Sequence, residues 1–539
     1  MRVNFLVMFL LGSWFGFQVA CQQAISHDEC LIIRDITIER IDVFGSKKNP
    51  KWYQKMFQKT HMQTREPIIE EELLFHEGDC FDPRQVDETE RRLREMGIFA
   101  EATIQRYVHD DLGVVDLKVI VEDRFTLRVE MSFSRRGGLN KSRYSLGERN
   151  LLGFDKEIHY SSSYRSDGTQ IQRAVFEDPR FLSQYQLSAE YDDTDEGKYR
   201  NFAWRKPFWS LEDSDAFQFE AWGDNTKADI YQEGGESIEI AHDKEHAAFD
   251  WIHEYGNPLK SKRLNLSLGW DAYHYLENHE SIVVPPKTED VHLSAAYTWD
   301  TRYRYLELTH IDSLNFTEDI SEHLSVTVGA GTLQRHRSSN DEVMFTWQSE
   351  LQQIKTWNKA ILAWSLAGSG RHNDQGGLSA VNIASYGHLY HKATERQTWA
   401  LGLAYQRQYT NDDLYLPLTL GEDNGLRGYP AFSLTGDKTG LLNLEHRLRY
   451  GWPHGRLALG QVLFIDGGFA LDPHQTFNQD LIHWSAGWGL RLGLPSLLGK
   501  RVARIDFAYP LDGGSISVSA SVGQVLQFDR INQGFSKDY

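Results

Sequence analysis

Cysteine and histidine are the residue types in this sequence that most directly invite chemistry, as metal ligands, nucleophiles or disulfide partners. The chain has 21 histidines and 3 cysteines. The histidines lack metal-ligand spacing: His242 and His246 enclose Asp-Lys-Glu rather than following the His-Glu-x-x-His order, and His388 and His391 would face opposite sides of a strand. Neither a Gly-x-Ser-x-Gly elbow nor a phosphate-binding glycine loop occurs. We therefore expect no metal, no cofactor and no enzyme activity.

The N-terminus predicts an exported protein, and export bears on the three cysteines. Arg2, the apolar run from Phe5 to Val19 and the small residues that follow predict a secretory signal peptide over residues 1–24. Cys21 is a candidate for lipid attachment, and simple cleavage near Ala20 or Ala24 is the alternative. Cys30 and Cys80 would then enter an oxidising compartment, where a disulfide persists. Spacing leaves a disulfide and two unpaired thiols as open alternatives.

Composition excludes several classes of protein. The chain has 57 Lys and Arg against 76 Asp and Glu, a formal charge of −19, which argues against a nucleic-acid partner. Mean hydropathy is −0.51 and the only long apolar run lies at the N-terminus, so a bundle of transmembrane helices does not fit. Aromatic residues make up 12% of the chain and prolines number only 14, which favours an outer-membrane β-barrel.

Residues 31–123 predict a small α+β domain. A strand-like run ends at Gly45, a helix or helix pair is expected from Pro50 to Phe75, and a second helix from Pro83 to Met96, capped by Gly97. Two strands follow, Ala100 to Arg106 and Val114 to Glu122. The predicted order is strand, helix, helix, strand, strand.

This domain resembles a POTRA domain, the periplasmic repeat of the BamA/TamA superfamily of outer-membrane assembly proteins and translocases. The matching residues are Val43-Phe44-Gly45, Glu77-Gly78-Asp79 with Phe81-Asp82, the run Leu93 to Phe99, and Val119 to Glu122. A generic α+β plug or binding domain is the alternative. The resemblance implies that an exposed edge strand of the sheet docks an extended client peptide.

Residues 125–528 predict a transmembrane barrel of antiparallel strands. Apolar and polar or small residues alternate, most clearly from Trp484 to Leu494, as expected when one face meets lipid and the other a wet interior. A crossing needs about 9–11 residues plus a connection, and the resemblance implies about sixteen strands, although fourteen or eighteen also fit the length. Part of the polar stretch from Asn225 to Arg263 is expected to be a surface loop.

Several barrel segments resemble superfamily motifs in the expected order, namely Gly147 to Gly153, Phe176 to Phe181, Asp300 to Arg302, Gly421 to Tyr429, Gly436 to Lys438, Asn443 to Glu445 and Phe464 to Gly468. The segment Arg427-Gly428-Tyr429 resembles the tip of a long sixth extracellular loop that folds back into the lumen. The resemblance implies that Arg427 pairs with Asp466, and with Glu445, beside Gly468. A bidentate carboxylate would make the burial of this guanidinium tolerable, whereas a solvated loop arginine is the alternative.

The C-terminal strand carries a second implied signal. Ser521, Gly523, Leu526 and Phe528 match the β-signal by which assembly machinery recognises the last strand of a barrel, and residues 529–539 then form a tail.

The resemblance implies a protein-inserting or protein-exporting barrel in the outer membrane of a Gram-negative bacterium, with the POTRA domain in the periplasm. A seam between the first strand, near Leu127 to Ser134, and the last, near Ser515 to Phe528, would open toward client strands. Expected partners are unfolded outer-membrane or secreted proteins, outer-membrane lipids and a periplasmic accessory protein. The alternatives are a dedicated two-partner-type secretion pore and a passive outer-membrane channel.

Overall fold

The computed structural model describes most of the chain. The residues described are 30–43, 61–136, 139–166, 168–209, 213–231, 237–257, 260–276, 286–314, 317–337, 340–374, 376–411, 416–422, 424–450, 458–493 and 502–526. The chain divides into two compact units, one of residues 1–46 and 72–123 and one of residues 47–71 and 124–539. No helix in the described ranges is long and apolar enough to cross a membrane.

The N-terminal unit is a three-stranded sheet with one helix. Its strands are β1 (Ile32–Ile41), β2 (Phe99–His109) and β3 (Val114–Asp123), in the order β1-β3-β2. The central β3 is parallel to β1 and antiparallel to β2. Its alternate side chains are buried, which is the pattern of a strand with one face on a core. That core also contains Val86 and Leu93 of a helix over Pro83–Glu95.

Local chemistry explains where this helix begins and what holds the sheet. Asp82 accepts a hydrogen bond from the Arg84 backbone at 2.9 Å, and Pro83 stands in the first turn, where its missing N–H is tolerated. A disulfide joins Cys30 to Cys80 beside the start of β1. Arg34 donates a hydrogen bond to Asp116 at 2.8 Å, and this bond holds the pKa of the Asp116 carboxyl below its usual range.

The second unit is a closed antiparallel barrel. A short helix, α1 (Glu66–Glu70), precedes it, and the helix of the N-terminal unit is α2. The strands of this unit are β4 (Leu127–Arg136), β5 (Leu139–Glu148), β6 (Glu157–Arg165), β7 (Gln170–Phe181), β8 (Tyr185–Thr194), β9 (Gly197–Lys206), β10 (Asp215–Asp224), β11 (Lys227–Tyr231), β12 (Ser237–Asn257), β13 (Lys260–Tyr275), β14 (Thr288–Thr309), β15 (Thr317–Arg337), β16 (Asp341–Trp357), β17 (Ala360–Asn373), β18 (Leu378–Thr394), β19 (Gln397–Thr410), β20 (Leu418–Leu420), β21 (Leu434–Gly436), β22 (Lys438–Tyr450), β23 (Ala458–Leu471), β24 (His483–Gly493), β25 (Val502–Pro510) and β26 (Ser517–Val522).

Within the described ranges the barrel has 20 strands, so the expectation of about sixteen is wrong. The count takes β10 and β11 as one interrupted strand, because both pair with β12, and leaves out β20 and β21, which pair only with each other. Two features account for the larger number. Many hairpin turns are only two to four residues long, and the supposed surface loop at 225–263 consists largely of β11, β12 and the start of β13.

The predicted alternation of faces is present in the barrel wall. On β23, Leu463 and Ile465 are about half exposed on the outside, whereas Phe464 and Asp466 are buried on the inside. We call the end of the barrel at which β4 begins the base and the opposite end the rim. Because neighbouring strands are antiparallel, the β14–β15 connection lies at the base and the β19–β22 connection at the rim.

Candidate functional site

The long connection between β19 and β22, residues 411–437, turns into the barrel in its described parts, 416–422 and 424–437, and we call these parts the lock loop. Its stem is the small ladder of β20 and β21, and the segment Gly421–Tyr429 lies between these strands. Leu426 is fully buried. Gly468 on β23 makes this approach sterically feasible, because a Cβ there would lie 2.7 Å from Leu420 and 3.1 Å from Leu426.

Arg427 is the centre of the buried contacts of the lock loop. Its Nε and Nη2 donate to the two Asp466 oxygens at 2.7 and 2.8 Å, the bidentate geometry of a strong guanidinium–carboxylate pair. Its Nη1 lies 2.9 Å from Glu445 Oε1 as an ion pair without hydrogen-bond geometry. The guanidinium also lies over the Phe464 ring, 3.5 Å from its centroid. The structure thus places Arg427, Glu445 and Asp466 together, all fully buried.

The other two residues of the tip lie against the rim end of the wall. Gly428 lies beside Ser485 and Ala508. The Tyr429 hydroxyl is 2.9 Å from the Trp484 carbonyl and 2.8 Å from an Asp512 carboxylate oxygen, and it can donate to one of them at a time.

Five further residues belong to this cluster and were not assigned to the lock from the sequence: Asn443, Arg447, Arg491, Arg504 and Asp506. Asn443 donates to the Gly425 carbonyl at 2.8 Å and to Asp466 at 2.7 Å. Asp506 on β25 accepts from Arg491 at 2.5 Å and from Arg504 at 2.6 Å. The run from Arg504 to Phe507 on β25 alternates polar and apolar residues. The two-residue alternation used for β24 could therefore have identified Arg504 and Asp506 as inward-facing. The resulting network holds four arginines (Arg427, Arg447, Arg491 and Arg504) and three carboxylates (Glu445, Asp466 and Asp506).

The seam predicted between the first and last strands is the weakest junction among the barrel strands described. β26 pairs with β4 through a single residue pair, Ala520 and Arg135, whereas β4 pairs with β5 along ten residues. The β4 edge from Leu127 to Ser134 thus has no strand partner on its β26 side within the described residues. Val129, Met131 and Phe133 of that strand are 64–72% exposed on the outside.

The predicted β-signal residues lie at and beyond the end of β26. β26 ends at Val522, because Gly523 adopts a φ of +101° and the chain then leaves the wall. Ser521 lies inside the strand and accepts from Arg504 at 2.8 Å. Leu526 is buried in an inner apolar cluster rather than continuing the strand, and Phe528 lies outside the described residues.

The motifs Gly147 to Gly153, Phe176 to Phe181 and Asp300 to Arg302 lie at or near the base, and Gly436 to Lys438 lies at the rim. Asn150 donates to Thr64 at 2.8 Å and accepts from the Asp155 backbone, and Arg180 pairs with Asp155. Asp300 and Arg302 pair with each other at 3.2 Å. In the described part of the chain no three His, Cys, Asp or Glu side chains converge as a metal site would require. Cys21, the predicted signal peptide and the tail 529–539 lie outside the described residues.

Comparisons with known proteins give likeness of fold only. No family model matches the chain, and no curated protein matches it. Among solved structures, the chain is similar to BamA from Haemophilus ducreyi lacking POTRA domains 1–3, at 11% identity and a TM-score of 0.44 over 90% of this chain and 84% of that one. It is similar to CdiB from Acinetobacter baumannii at 11% identity and a TM-score of 0.43, over 92% and 74% of the two chains. The siderophore receptor PirA from Pseudomonas aeruginosa matches at 12% identity and a TM-score of 0.38, over 75% and 81%.

Proposed function

We propose that this protein is an outer-membrane barrel of the BamA/TamA type that inserts or exports client proteins through the β26–β4 seam. The single observation that carries the proposal is the near absence of pairing at that seam in a barrel whose other strands pair extensively. An open strand edge is a template for a further strand, so a client strand could add to β4.

The buried lock supports this proposal over a passive channel. A channel needs an unobstructed lumen, whereas here the lock loop enters the lumen and is held by buried, charge-assisted hydrogen bonds. The ordered motifs around Arg427, Glu445 and Asp466 are those the superfamily resemblance implies. In this proposal the N-terminal unit is a POTRA domain in the periplasm, whose outer strand edges on β1 and β2 hold an extended client.

A reversible crosslink across the seam tests the proposal. Ala520 and Arg135 are direct partners, so Ala520→Cys with Arg135→Cys should form a disulfide that holds the seam shut. Ala520→Cys with Ile505→Cys is the matched control, because it joins β26 to its well-paired neighbour β25. Each variant would be expressed in a strain lacking the gene. Quantitative proteomics would then measure outer-membrane and secreted proteins with and without reductant.

We expect the seam crosslink to deplete a few proteins, reductant to restore them, and the control crosslink to have no effect. Loss from the membrane would identify an insertase, and loss from the medium a secretion pore. An unchanged proteome in both the deletion strain and the crosslinked strain would overturn the proposal.

A further inference from the structure

The lumen is crossed at both ends by segments that reach the opposite wall. At the rim, Phe432 of the lock loop stacks on Tyr231 of β11, with ring centroids 4.1 Å apart, although β11 lies eight strands from β19. At the base, the β14–β15 connection does the same. We call its described residues, His310–Leu314, the base turn.

The base turn reaches five to eight strands away from its own hairpin. The Ile311 carbonyl accepts a hydrogen bond from Arg447 on β22. Leu314 packs with Ala458 of β23 and Val502 of β25 in a buried cluster. Apolar packing and a charge-assisted hydrogen bond thus hold the turn across the lumen.

The end of β26 is held at the same point as the base turn. Gly523–Leu526, which we call the tail segment, follows β26 into the lumen. The Leu526 carbonyl accepts from Arg447 at 2.9 Å, and Gln524 accepts from Arg491 at 2.8 Å. Leu526 and Ile311 share one buried apolar cluster with Tyr390. Arg447 therefore holds the base turn and the tail segment together.

Glu445 links this base assembly to the lock loop. One of its carboxylate oxygens lies 2.9 Å from Arg427 of the lock loop, and the other accepts from Arg447 at 2.8 Å. All three side chains are buried, where charge interactions are little screened and a lost partner is costly. Removing either arginine would leave Glu445 free to turn toward the other or toward water.

We infer that Glu445 couples the lock loop at the rim to the base turn and the tail segment, so that the two ends of the lumen open together. When Arg427 is released, Glu445 is no longer held in its present orientation. Because Glu445 positions Arg447, the hydrogen bonds from Arg447 to the Ile311 and Leu526 carbonyls then weaken. Coupling of this kind is reciprocal by thermodynamic necessity. Holding the base shut must therefore stabilise the rim, and that consequence can be measured without any client protein.

The first experiment measures opening of the base when the rim is disturbed. A Ser313→Cys reporter in the full chain, held in membranes, is labelled with a water-soluble thiol reagent; Ser313 is 3% exposed, so labelling reports release of the base turn. We expect Arg427→Gln to raise the labelling rate about tenfold, within the usual range of coupling between sites. Asp290→Asn is the matched control, because it disturbs a buried bidentate pair with Arg335 at the rim end of the hairpin that carries the base turn, outside the Arg427 network.

The second experiment tests reciprocity in one protein. A Cβ built at Gly493 lies 3.2 Å from the Leu314 Cβ, close to the roughly 3.8 Å typical of disulfides, so Leu314→Cys with Gly493→Cys should crosslink the base turn to β24. Limited proteolysis of the lock loop is then compared between the oxidised and reduced forms. We expect cleavage to be several-fold slower in the oxidised form.

Either of two results would overturn the coupling. One is a labelling rate at Ser313→Cys that Arg427→Gln leaves unchanged or that Asp290→Asn raises equally. The other is a cleavage rate of the lock loop that is the same with the base crosslinked and released. Because the oxidised and reduced forms are the same folded chain, a folding defect cannot produce the expected difference. Neither experiment depends on the proposed insertion or export of clients.

Discussion

Two adjacent stretches of the barrel wall are held in very different ways. From β22 to β25 each strand pairs with the next along nine or more residues, and the inner face carries the buried charge network around Arg427. From β25 onward the pairing falls to six residues at β26 and to one at β4. The barrel thus places its most constrained wall directly beside its weakest junction.

The contrast indicates where the proposed opening of the wall would occur. Arg504 of the network donates to Ser521 on β26, so the network reaches the last strand but stops short of β4. β26 is therefore tied to the constrained wall, and β4 to β5. Buried polar networks rigidify the elements they join, whereas an unpaired strand edge accepts new partners. We therefore expect the proposed opening to lie between β26 and β4 rather than between β25 and β26.

The largest expected effect comes from removing the arginine of the lock. Arg427→Ala would leave Asp466 and Glu445 buried without their guanidinium, at a cost of about 3–5 kcal/mol to docking of the lock loop. We expect a barrel that still inserts, since its strand pairing is unchanged, but works poorly. Limited proteolysis would show rapid cleavage within residues 411–437.

The conservative Arg427→Lys variant sharpens this test. Lysine keeps the charge but loses the bidentate geometry, so cleavage should be intermediate between wild type and Arg427→Ala. A lock loop that stays protected in Arg427→Ala, or full activity of that variant, would show that the ion pairs do not hold it.

A smaller effect is expected from a substitution at the end of β26, where the tail segment begins. Gly523 has a φ of +101°, a conformation that costs an alanine about 1–3 kcal/mol, so Gly523→Ala should release the tail segment. A Val525→Cys reporter, 8% exposed, would then be labelled several-fold faster by a water-soluble thiol reagent. Melting of the barrel should change little, because β26 pairs with β25 before this residue.

Gly513→Ala is a matched control for the backbone strain that Gly523→Ala introduces. Gly513 has the same φ of +101°, with open space around a built Cβ, in the rim turn between β25 and β26. Gly513→Ala should carry similar local strain without exposing the tail segment. Equal labelling of Val525→Cys in both variants would mean that strain anywhere near β26, rather than the turn at Gly523, releases the tail.

The strand faces could be predicted from sequence because they depend on a local pattern, whereas the lock was implied by the resemblance of its motifs to those of the superfamily. The two-residue period places Glu445 with Arg447 on one face whatever the rest of the barrel does. Arg504 and Asp506 follow the same rule, and only the choice of segments left them out. Cys30 and Cys80 were left open, because their pairing depends on how residue 80 returns to β1 in space.

The strand number and the base turn could not be predicted in that way. Closure of a barrel is a property of all strands together, and short turns let 20 strands fit where the resemblance implied about sixteen. His310–Leu314 has the length and polarity of an ordinary connection. Its role depends on β22, β23 and β25 lying across the lumen, and no local pattern records that.

The smallest predicted effect is a pH dependence of the base turn. Burial, and then the nearby charges of Arg449 on β22 and Lys392 on β18, lower the pKa of His310 to about 4. Arg449 donates to the neutral ring, and Arg396 also lines the small cavity beside it. A released turn would have a histidine near the ordinary value of about 6.5, so the released state binds the proton more readily.

The docked turn is therefore most stable above about pH 6.5 and loses stability as the pH falls toward about 4. Labelling of Ser313→Cys, normalised at each pH to the same cysteine in denaturant, should be faster at pH 5 than at pH 7.5. In His310→Gln this difference should disappear, because glutamine cannot take up the proton. If the pH dependence survives that substitution, a group other than His310 controls the response of the base turn to pH.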